Sequence, residues 1–121
     1  MPTRDKPVCA VTRVVDGDTI EVVCRQGSAA VRLTGFDTPE TFRPKCPQER
    51  MAGQRAKRAL TGLLRNSKSA AIDYKGTGKY GRVLGKMYVD DVPLEQTMVS
   101  RGLAVAYDGG KRIDWCSRLG A

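Results

Sequence analysis

Three short segments carry the side chains best suited to chemistry. They are Val15-Asp16-Gly17-Asp18-Thr19, the run RLTGFDTPE from Arg32 to Glu40, and Lys79-Tyr80-Gly81-Arg82. Asp18 and Asp37, helped by a turn carbonyl, offer the hard oxygen donors that calcium prefers. Positions left open on such a cation go to water and to a phosphate. Arg32 and Arg82 can grip phosphate oxygens through planar, charge-assisted hydrogen bonds. Glu40 lies just beyond the proposed ligands and can orient or deprotonate a water. Together these groups meet the needs of metal-assisted phosphodiester hydrolysis. Each piece also has a plain structural reading. Asp-Gly makes hairpin turns, Asp-Thr-Pro-Glu can cap a helix, and arginines pair on surfaces. Their joint occurrence favours the chemical reading. The chain has no histidine, so histidine catalytic pairs and histidine zinc sites are excluded.

These groups need a scaffold whose strand ends and turns reach one rim. Val8 to Val15 and Thr19 to Cys24 are rich in β-branched residues and flank Asp16-Gly17, a hairpin signal. A two-residue turn there pairs positions summing to 33, so Cys9 faces Cys24. A Cys9–Cys24 bridge is then geometrically feasible, and Cys46–Cys116 follows by elimination. The competing reading is two free, half-buried thiols. Four cysteines without a C-x-x-C argue against a zinc cluster or a thioredoxin-like site, and an even count fits disulfides and an oxidising compartment.

Ala29 to Leu33 reads as a third strand, with Val31 and Leu33 on one face and Arg32 on the other. Pro44 and Pro47 mark a loop. From Pro47 to Arg65, Ala52, Ala56, Ala59, Leu60, Leu63 and Leu64 recur at helical steps. Glu49 falls in the first turn, where negative charge is favoured. Ala70, Ile72 and Tyr74 alternate as in a strand, and Gly76-Thr77-Gly78 reads as a turn. Val83 to Val89 is a strand closed by Asp90-Asp91. Pro93 to Arg101 is a short helix with Leu94, Met98 and Val99 inward and Gly102 as its stop. Leu103 to Tyr107 is a last strand, and Ile113 to Leu119 begins a short helix. Short strands with helices inserted among them give an α+β, mainly β, class. They suit a small closed barrel such as an OB-fold with two or three helices outside. Periodicity alone does not choose that barrel over other α+β folds.

The 121 residues suit a single domain, 1–121. A net charge of +8 draws polyanions, nucleic acid above all, although charge also serves solubility. No apolar run is long enough to span a bilayer, so no membrane is expected. Met1 to Pro7 is polar, and no secretory leader is read there.

The segments VVDGDT, VRLTGFDTPET, the helix beginning near Cys46, KYGR and VSRGLA occur in order over Val8 to Tyr107. In this the chain resembles the staphylococcal nuclease (thermonuclease, micrococcal nuclease) family. The resemblance implies a five-stranded OB-fold barrel and calcium-dependent cleavage of DNA and RNA that leaves 3′-phosphate ends. It implies Asp18 and Asp37 as carboxylate ligands of calcium, and Thr38 as a main-chain carbonyl ligand. Arg32 and Arg82 match the pair on the scissile phosphate, and Glu40 the carboxylate facing the attacking water. Asp16 matches an acidic position just behind the metal. Lys79, Tyr80 and Tyr107 fall where the family contacts the nucleotide. The chain departs in a shorter segment between Tyr74 and Lys79, in Gly78 where an acidic residue often stands, and in a GLAVAY stretch one residue short. That last departure bears on Tyr107. The cysteines resemble those of a cysteine-bearing bacterial branch, which implies a secreted or periplasmic protein. A monomer is expected. The alternative readings are an inactive OB-fold module that binds nucleic acid and a calcium-dependent structural domain. The second gives the arginine pair no purpose.

Overall fold

The computed structural model describes residues 9–24, 27–78 and 81–120, with the Cys9 side chain left aside. Strands β1 (Cys9–Asp16), β2 (Thr19–Cys24) and β3 (Gly27–Leu33) form an antiparallel meander. A short strand β4 (Gly35–Asp37) leads to helix α1 (Pro47–Arg65). Then come β5 (Ala70–Thr77), β6 (Val83–Val89), β7 (Val92–Pro93), helix α2 (Leu94–Ser100), β8 (Val105–Tyr107) and helix α3 (Trp115–Arg118). The main sheet runs β1-β2-β3-β6-β5, with β7 paired to β6, and β4 pairs separately with β8. Among the described residues only the β3–β6 pairing is parallel, and α1 makes the long crossover that such a pairing needs. This is an OB-like α+β fold. Among the described residues no ladder joins β1 to β5, so the barrel is not closed by hydrogen bonds at that seam; α1 packs along β1 instead. No described helix is long and apolar enough to cross a membrane.

The alternation in the strands sets the core. Ile20, Val22, Val31, Leu33, Ile72 and Met87 point inward and are buried, as period-two patterning requires. Ala56, Leu60 and Leu64 of α1 close over them, and Leu94 and Met98 of α2 seal the other side. Val99, expected inward, is exposed, because α2 ends at Ser100 and buries only Leu94 and Met98. Gly76 and Thr77, expected in a turn, extend β5 past an irregularity between Tyr74 and Gly76. The last strand begins at Val105 rather than Leu103, and α3 has four residues capped by the Asp114 side chain on Ser117 N.

The first hairpin turns at Gly17-Asp18, one residue later than expected, with Asp16 opposite Thr19. That shift alone would put Cys9 and Cys24 out of line. Two register shifts in β1, between Val11 and Arg13 and between Val14 and Asp16, bring Cys9 back opposite Cys24. Such bulges bend the strand and re-aim its end. Here they deliver Asp16 and Asp18 to the rim, where Asp18 Oδ2 accepts from Thr38 N at 3.0 Å. Cys24 is disulfide-bonded; the Cys9 thiol lies outside the described atoms. Cys46 and Cys116 are joined, as expected, across a sequence separation of 70.

Candidate active site

The N-cap of α1 and two residues of its first turns organise the loop that carries Glu40. Cys46 caps the helix, its Sγ 3.4 Å from Glu49 N. The buried Glu49 carboxylate accepts from Lys45 N at 2.8 Å and Glu40 N at 3.2 Å. Gly53 then lets the helix press on the loop backbone: a Cβ there would lie 2.9 Å from the carbonyl oxygens of Pro39 and Glu40. Backbone cannot yield as a flexible side chain can. We therefore expect Gly53→Ala to cost about 1–3 kcal/mol and to displace Glu40. Thermal denaturation paired with turnover tests this; a variant unchanged in both would show that the loop is not held by this contact.

Arg32 projects from β3 on the face opposite the core. Its Nη2 lies 3.3 Å from Asp18 Oδ2 and 3.2 Å from Asp37 Oδ1. Its Nη1 donates to the carbonyls of Leu33 (2.6 Å), Phe36 (3.3 Å) and, longer, Asp18 (3.4 Å). The two proposed ligand carboxylates thus converge on one point. Thr19 Oγ1 donates to Asp18 Oδ1 at 3.1 Å. Asp16 faces the loop instead, accepting from the Thr41 backbone N–H and from the Thr41 hydroxyl.

Asp37 is fully buried and receives more donors. Arg112 gives Oδ1 its Nε at 3.0 Å and its Nη2 at 2.9 Å, and Trp115 Nε1 reaches Oδ2 at 2.9 Å. Arg112 Nη1 also donates to Glu40 Oε1 at 2.6 Å, and Nη2 lies 3.4 Å from the Thr38 carbonyl. Arg82 lines the same cleft of about 530 Å³ as Asp18, Arg32, Glu40 and Arg112. Among the described residues its side chain has no ion pair or hydrogen bond. Tyr107 also lines the cleft: its ring lies 5.8 Å from the Arg32 guanidinium, and its hydroxyl donates to Gly110 O at 2.6 Å. Lys79 and Tyr80 lie outside the described residues.

The donor set suits a hard cation. Asp18 and Asp37 meet at the Arg32 Nη2, and the Thr38 carbonyl adds an oxygen. Among the described residues no three acidic side chains form a ready cage. A cation here would hold two carboxylates and one carbonyl, with other positions open to water and phosphate.

The chain matches the family described as staphylococcal nuclease homologue over residues 30–114. It belongs to that family. Endonuclease YncB of Bacillus subtilis is 38% identical over 99 residues, covering 78% of this chain and 46% of the relative. The SPbeta prophage-derived endonuclease YokF of Bacillus subtilis is 39% identical over 99 residues, covering 78% and 33%. Protein ParB of Escherichia coli is 33% identical over 106 residues, covering 80% and 55%. The chain therefore spans about half the length, or less, of these relatives.

In this staphylococcal nuclease homologue, burial is the main cause that pushes the carboxyls of Asp16 and Asp37 up from the ordinary value. Repulsion from Asp18 adds to both, and Glu40 adds to Asp16. Thr41 at Asp16, and Trp115 and Arg112 at Asp37, pull the other way. Burial works against the charge of Arg112, but Glu40 and Asp37 outweigh it and hold the guanidinium protonated.

Sequence reasoning missed Arg112, Trp115 and the pinning role of Glu49. Arg112 carries no motif signal, and it meets Asp37 across 75 residues. Trp115 is the only tryptophan in the chain and sits beside Cys116, which was the available hint. Glu49 lies in the first turn of α1, as expected, and its carboxylate in addition serves the preceding loop.

Proposed function

We propose that this chain is a calcium-dependent nuclease that hydrolyses phosphodiester bonds of DNA and RNA and leaves 3′-phosphate ends. The observation that carries the reading is the convergence of Asp18 and Asp37 on Arg32 Nη2, beside the cleft that Asp18, Arg32, Glu40 and Arg82 line. Family membership and relatives named endonucleases support it. Asp18, Asp37 and the Thr38 carbonyl would hold calcium, which when bound polarises the phosphate and neutralises developing charge. Glu40 orients the attacking water and takes its proton. Arg82, whose side chain has no partner among the described residues, bonds the non-bridging phosphate oxygens as charge builds on them. Arg32 fixes the two ligand carboxylates and faces the same phosphate. The bond from phosphorus to the 5′ oxygen breaks, and that oxygen takes up a proton from solvent water as it leaves. Lys79, Tyr80 and Tyr107 serve the nucleotide, and Asp16 holds the Glu40 loop through Thr41.

The disulfide supports export to a secreted or periplasmic compartment, where such bridges persist. A monomer is proposed.

The test is cleavage of single-stranded DNA, duplex DNA and RNA with calcium, with chelator, and with magnesium in its place. Calcium-dependent products with 3′-phosphate ends are expected. Magnesium should serve poorly, because it demands tighter octahedral geometry. Glu40→Gln should lower turnover about 10²–10⁴-fold while calorimetry still detects calcium binding. Salt-sensitive DNA binding without cleavage would instead assign a binding module.

A further inference from the structure

We propose that Arg112 is a positioning residue that stands in for the divalent cation. Its guanidinium holds Asp37, the Thr38 carbonyl and Glu40 together until a cation displaces it from Asp37. The inference rests on the cation reading above and goes beyond it by naming the group that competes.

Three of the groups assigned to the cation and its water are met by one side chain. Arg112 reaches Asp37 Oδ1 at 2.9 and 3.0 Å, Glu40 Oε1 at 2.6 Å and the Thr38 carbonyl at 3.4 Å. Asp37 Oδ1 then has three nitrogens within 3.2 Å, counting Arg32 Nη2, and Oδ2 has Trp115 Nε1. Asp37 is fully buried. A cation can bind that carboxylate only if a donor leaves.

Arg112 is the donor able to leave. Arg32 is pinned by main-chain carbonyls, and its side chain is 13% exposed. The Arg112 side chain is 41% exposed and comes from a stretch between β8 and α3 with no helix or strand. Its guanidinium can swing toward the cleft mouth without breaking a ladder. Glu40, 36% exposed, lies at that mouth, so this contact need not break. Two positive charges on one carboxylate repel, and Coulomb energy between close charges is substantial in a partly buried site. Cation and guanidinium are therefore linked by negative coupling.

The sign of one measurement separates this role from a structural one. If Arg112 competes, its removal tightens calcium binding. If it only braces the site, its removal loosens the site and weakens binding. Trp115 supplies the readout, since its indole N–H bonds Asp37 and no other tryptophan interferes. Calcium would be titrated by calorimetry and Trp115 fluorescence into the wild type, Arg112→Ala and Arg112→Lys. Arg112→Ala is expected to bind at least about tenfold tighter, with Arg112→Lys between it and the wild type. Equal or weaker binding by Arg112→Ala overturns the proposal and leaves the cation reading standing. No calcium binding by the wild type or the variant overturns both. Should Arg112→Ala fold poorly without calcium, the unfolding midpoint of Arg112→Gln with and without calcium decides. A larger calcium-induced rise than in the wild type supports competition, and an equal or smaller rise refutes it.

Discussion

Arg82→Ala is expected to lower turnover about 10³-fold and to leave the unfolding midpoint close to that of the wild type. Arg82 lines the cleft just before β6, and among the described residues its side chain holds up no other part of the fold. Among the described residues no group competes with the phosphate for its donors. Charge builds on the non-bridging oxygens as the bond to phosphorus forms, and a fixed guanidinium helps most at that stage. The loss should fall on kcat more than on KM. Arg32→Ala supplies the contrast. It removes a guanidinium with two carboxylate and three carbonyl partners. Breaking such a buried network should cost about 3 kcal/mol, so turnover and stability should fall together. Wild-type cleavage rates for Arg82→Ala would remove that residue from the mechanism.

The double variant Cys46→Ser with Cys116→Ser should lose about 4 kcal/mol of stability, because the bridge spans 70 residues and restricts the unfolded chain. The site should feel the change. Cys46 caps α1 three residues before Glu49, and Cys116 adjoins Trp115. The bridge therefore ties the helix that pins the Glu40 loop to the segment that delivers Arg112 and Trp115 to Asp37. Denaturant unfolding measures the first effect, and iodide quenching of Trp115 the second, with greater quenching expected. An unchanged midpoint would mean that packing of α3 on α1 suffices without the bridge.

The core was legible because its signals are local. Val31 and Leu33 face inward and Arg32 outward by strand alternation, and Ala56, Leu60 and Leu64 follow the helical step. Local signals also misplace details. Asp-Gly is a good turn, yet the hairpin turns at Gly17-Asp18, since that arrangement puts the Asp18 carboxylate on Thr38 N. Cys9 and Cys24 stay opposite only because two bulges offset the later turn. Gly76 favours a turn, but pairing with β6 carries β5 through it.

By itself the sequence determined the longer strands and helices, most of the core faces and the family, but not the short strands β4 and β7. It also named Asp18, Arg32, Asp37, Glu40 and Arg82, since short motifs at strand ends keep their side chains in a fixed order. Tertiary structure alone decided which donors each carboxylate receives. Arg112 and Trp115 reach Asp37 from more than 70 residues away, through a strand pairing, a loop and a disulfide. No periodicity or spacing encodes that approach. It follows from how β4, β8 and α1 pack, and hydrogen bonds between distant residues form only after that packing is in place.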